Sequence, residues 1–140
     1  MIFLTLDDGR ELHGCSLGMA AMYELISDEL PNDCIPFKKW LFDMSNRPNP
    51  FGDFDLRGIS ETYRSAFYEA ASKANQRLLD KYGPTVYEQE NFYSARCLKK
   101  LLDMAKRIKK NEAPQEMNDA DTIEPFSGEM EDLNQIWSEN

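Results

Sequence analysis

SETYRSAFYEAASKANQRLLDKYGPTVYEQENFYSARCLKKLLDMAKRIKK, Ser60 to Lys110, is the stretch that decides the fold. Ser60 is a good helix N-cap, because its hydroxyl oxygen can accept a first-turn amide. Tyr63, Phe67, Ala70 or Ala71, Ala74, Leu78 and Tyr82 recur at helical spacing, which makes one apolar face. Gly83-Pro84 stops the run. Thr85 with Glu88 three residues on reads as a capping box. The helix it opens runs to about Lys110, with Phe92, Cys97, Leu98, Leu101, Leu102, Ala105 and Ile108 on its buried side. So short a link joins antiparallel neighbours. Phe67, Leu78, Leu98 and Leu101 are therefore expected in the core.

Upstream, IFLTL (residues 2–6) and Glu11-Leu12-His13 alternate around Asp8-Gly9, the pattern of a β-hairpin. Ser16 is the expected cap of a helix over 17–30, with Leu17, Ala21, Leu25 and a second set, Met22 and Ile26, as its apolar positions. Pro31 ends it. Pro36 fits the first turn of the next helix, which carries Phe37, Trp40, Leu41 and Met44 on one face. Residues 46–58, NRPNPFGDFDLRG, read as a loop without regular structure. The expected class is mainly α: a short N-terminal β-hairpin, a bundle of about four helices and a C-terminal helical segment.

Charge divides the chain in two. Of 25 acidic and 16 basic residues, nine acids and no base lie in 111–140, which leaves 16 of each in 1–110. The whole net charge of −9 thus resides in the last thirty positions. We read 1–110 as a helical body with an N-terminal hairpin and 111–140 as an acidic segment that docks on that body, the alternative being that it projects and docks on a partner as a helix in a groove. Residues 111–122 look like a linker. Beyond them Ser127 is a candidate cap, Glu129 and Glu131 suit a first turn, and Phe126, Met130, Leu133 and Trp137 form an apolar strip.

Chemical motifs are sparse. Cys15, Cys34 and Cys97 are widely spaced and read as reduced thiols. His13, the one histidine, lies two residues from Cys15, but no nucleophile signature surrounds the pair, and both read as structural. The carboxylate pairs Asp53/Asp55 and Glu88/Glu90 lack a third ligand at metal spacing. No phosphate loop or serine elbow is present. No catalytic residue, metal or cofactor is expected. The bases Lys99, Lys100, Lys106, Arg107, Lys109 and Lys110 sit where they offset a helix dipole, and nucleic-acid binding is not expected. No apolar run is long enough to span a membrane, and no leader pattern opens the chain, so the expected place is the cytoplasm.

These features point to a protein partner of basic character. Phe51, Asp53, Phe54 and Asp55 carry two readings: the phenylalanines tuck under the loop and cover the core, or they are aromatic anchors between carboxylates on a recognition surface. Glu129, Glu131, Asp132 and Trp137 offer charge and one further anchor. In size, acidity and lack of catalytic motifs the profile resembles that of bacterial toxin-immunity proteins. The resemblance implies an inhibitor that neutralises a basic nuclease toxin by covering the charge the toxin needs for phosphate. The alternatives are an assembly chaperone or adaptor that binds a partner helix, and a small enzyme without a familiar signature.

Overall fold

The computed structural model describes residues 2–45, 54–89 and 92–111. Among the described residues it is mainly helical, with four α-helices and a small three-stranded sheet. Strands β1 (Ile2–Thr5) and β2 (Glu11–Gly14) pair antiparallel, with Leu4 opposite Leu12 and Phe3 opposite His13. Strand alternation sends Leu4 and Leu12 into the core and leaves Phe3 and His13 on the other face, with their rings 4.5 Å apart. The Asp8-Gly9 turn closes as expected, with the Gly9 amide donating to Leu6 O at 3.0 Å.

Strand β3 (Phe54–Asp55) corrects the loop reading of residues 46–58. It pairs parallel to β1, with Leu4 opposite Phe54, and gives the order β2-β1-β3. A 3-10 turn over Leu56–Gly58 follows, capped by the Asp55 carboxylate. Prolines and glycines punctuate this region, but two residues of backbone suffice for a ladder once Phe54 is drawn into the core.

Helix α1 (Ser16–Glu29) is the hub, packing on α2 (Ile35–Ser45), α3 (Glu61–Tyr82) and α4 (Tyr93–Lys109). Its cap is Cys15 rather than Ser16, and the Cys15 sulfur accepts from the Gly18 amide at 3.4 Å. Its buried face is Met19, Met22, Tyr23 and Ile26, whereas Leu17 is 86% exposed. The apolar content of α1 is high on every side, so periodicity alone chose a phase that included Leu17. Ser27 is buried too and returns its hydroxyl to Glu24 O at 3.0 Å.

The α3–α4 pair matches the expectation in the main. Ser60 caps α3 through the Tyr63 amide, and Gly83, at φ +76°, ends it in a conformation that disfavours side chains. Phe67, Leu78, Leu98 and Leu101 are all buried. Tyr82 meets Phe92 at one end of the pair, ring centroids 4.6 Å apart. At the other end Arg64 and Tyr68 share a cleft with Ile108 and Lys109, so the two helices run antiparallel. The start of α4 differs from expectation. Pro84–Glu88 forms a 3-10 turn, and α4 begins only at Tyr93. Val86 and Tyr87 cause this: both are buried, and Tyr87 donates its hydroxyl to the enclosed Asn75 Oδ1. An α-helix from Thr85 would turn that anchor elsewhere.

Aromatic rings tie the sheet to the helices. Phe54 lies within 6.0 Å of Tyr23, 4.8 Å of Trp40 and 5.8 Å of Phe67, edge-on in each case. Such contacts add about 0.5–1.5 kcal/mol each beyond the area they bury. Trp40 remains 40% exposed at the rim of this cluster. The Met44 side chain and residues 112–140, which include the expected C-terminal helical segment and its docking, lie outside the described residues.

Candidate functional site

The residues singled out for partner binding are distributed unevenly. Phe54 is 3% exposed, at the centre of the aromatic cluster. It is a core residue and presents no surface to a partner, which corrects its place in the recognition surface and agrees with the structural reading of that stretch. Its neighbour Asp55 faces solvent, as β-strand alternation requires. The Asp55 carboxylate accepts from the Arg57 amide at 2.9 Å and from its guanidinium at 3.0 and 2.8 Å. Those bonds hold the Asp55 carboxyl below its ordinary value and leave the pair locally neutral. Phe51, Asp53, Glu129, Glu131, Asp132 and Trp137 lie outside the described residues.

His13 and Cys15 are engaged separately. The His13 ring rests on Phe3, while the Cys15 sulfur caps α1. No hydrogen bond joins them among the described residues. Cys34 is buried, and desolvation, with Asp33 beside it, pushes its thiol up. Among the described residues no three His, Cys, Asp or Glu side chains gather as a metal site.

The structure instead brings together a set of polar groups that the sequence left scattered. A cleft of about 260 Å³ opens between the hairpin turn, the first turns of α3 and the last turn of α4. Asp7 comes from the turn, Glu61, Arg64, Ser65 and Tyr68 from α3, and Ile108 and Lys109 from α4. Tyr68, 2% exposed, donates its hydroxyl to Asp7 Oδ1 at 2.9 Å. Burial first, then the Asp7 carboxylate, push the Tyr68 phenol well above its ordinary value, so it stays a hydrogen-bond donor. Next to it Asp8 is bound by Arg10 at 2.9 and 2.6 Å. That guanidinium holds Asp8 below the usual carboxylate value and fixes the turn that carries Asp7. The only trace of this site in the sequence is the four-residue step from Arg64 to Tyr68, which is common to every helix.

The fold and the cleft define a small, mainly helical domain with a mixed-charge concavity at one end. No protein family, curated protein or solved structure matches the chain. Among the described residues no helix is long and apolar enough to cross a membrane.

Proposed function

We propose that this chain is a non-enzymatic, protein-binding protein of the cytoplasm whose partner is basic. In its most concrete form it is an inhibitor of the bacterial immunity type, set against a nuclease toxin. One observation carries the reading: an electrically balanced body joined to thirty residues that hold nine acids and no base. The body supports it by pairing several of its own charges with each other. Asp8 pairs with Arg10, Asp55 with Arg57, Glu29 with Arg77 and Asp103 with Arg107. The unbalanced field therefore comes from Glu129, Glu131, Asp132 and their neighbours. A nuclease must present positive charge to phosphate, and complementary charge accelerates its capture. Phe54 drops out of the recognition surface, and the aromatic anchors proposed for it are Phe51 and Trp137.

The test is capture from the native host on the immobilised full chain, with the retained protein identified and its affinity measured against salt. The reading expects a partner of high isoelectric point whose binding weakens steeply as salt rises. A neutral or acidic partner held equally well at all salt concentrations would favour the adaptor alternative and sink this one.

A further inference from the structure

The cleft beside the hairpin turn holds charges of both signs without joining them. The Arg64 Nε is fully enclosed and has no acceptor among the described residues. Arg64 as a whole is only half-buried and lines the cleft, which offers its positive charge to a ligand there. Asp7 lines the same cleft, steadied by the buried Tyr68 hydroxyl. Glu61 lies exposed on the first turn of α3. Among the described residues no ion pair links Arg64 to either carboxylate. Ala105 and Ile108 supply an apolar wall.

Each simple ligand meets an obstacle. A lone anion drawn to Arg64 and Lys109 meets Asp7 and Glu61, and a lone cation drawn to those carboxylates meets Arg64 and Lys109. A volume of about 260 Å³ is also below the range of ordinary drug-sized pockets. We propose that the cleft binds a small zwitterion, an α-amino acid with an aliphatic side chain. Its carboxylate lies on the Arg64 guanidinium, its ammonium between Asp7 and Glu61, and its side chain against Ala105 and Ile108. This site is independent of the basic partner, so either reading can fail without the other.

Calorimetric titration of the full chain with L-alanine, L-valine and L-leucine tests it, alongside isobutylamine and 3-methylbutanoate, which each keep one of the two charges of valine. At least one amino acid should bind saturably. The single-charge analogues should bind at least about tenfold more weakly, as should the amino acid to Arg64→Met or Glu61→Gln, since each change removes a charge-assisted bond. Glu61 is exposed, so its variant decides the matter even if Arg64→Met fails to fold. The proposal is overturned if no amino acid binds by about 10 mM, well beyond ordinary weak affinity. It is equally overturned if an analogue binds as well as the amino acid, or if the folded variants bind unchanged.

Discussion

Replacing Gly18 by alanine tests the packing of the hub helix against α4. A Cβ on Gly18 would overlap the Tyr93 ring at Cδ1 and Cε1, and the Arg96 guanidinium lies over the same ring, 5.1 Å from its centroid. Two effects then oppose each other. Alanine favours the helix over glycine by about 0.5–1 kcal/mol. Displacing the ring, or parting α1 from α4, costs about 1–3 kcal/mol. The overlap is with ring atoms close to the Tyr93 backbone rather than with a flexible tip, which puts the cost in the upper half of that range. A net loss of about 1–2 kcal/mol is expected. In a Tyr93→Ala background the obstacle is gone, and Gly18→Ala should become stabilising by about 0.5–1 kcal/mol. Urea denaturation of the four proteins in this cycle reads the reversal directly. If Gly18→Ala has the same sign and size in both backgrounds, the close approach of Tyr93 to α1 is wrong.

Tyr87→Phe removes the donor to the enclosed Asn75 Oδ1 and should cost about 1–3 kcal/mol by the same assay; a loss within error of zero would contradict the anchor that delays α4. Burial raises the phenols of both Tyr68 and Tyr87 above the ordinary tyrosine value of 10.0. Their raised values contribute stability that is fully present below pH 10.0 and lost as pH rises beyond it. An ultraviolet absorbance titration should find these two ionising only together with alkaline unfolding. The sign is opposite for Asp8, whose lowered value contributes stability present above about 3.8 and lost as pH falls below it. Asp8→Asn should flatten the acid limb of the melting-temperature profile.

The parts of the fold set by local chemistry were legible in the sequence. Asp8-Gly9 announced the hairpin, Ser60 and Gly83 bounded α3, and the helical spacing of Leu98 and Leu101 found the buried side of α4. The rest depended on long-range contacts that no window of sequence contains. Strand β3 exists because Phe54 is pulled among Tyr23, Trp40 and Phe67, and the same burial removes it from any recognition surface. The cap of α1 went to Cys15 because a sulfur can accept the Gly18 amide as an oxygen would, although serine is the usual choice. The cleft was hidden most completely, since Asp7, Arg64 and Lys109 meet only after the turn, α3 and α4 have packed.

The central claim is that the charge of residues 111–140 sets the sign of the partner. Its most direct test is the association rate of the captured partner with the full chain and with a Glu129→Gln, Glu131→Gln, Asp132→Asn variant, across ionic strength. At about 0.01 M salt, where fields reach roughly 30 Å, the variant should associate markedly more slowly than the unaltered chain. The difference should shrink towards 0.15 M, where the reach falls to about 8 Å, and the melting temperature should stay nearly unchanged throughout. Equal rates for the two proteins at low salt, with both still folded, would contradict the account.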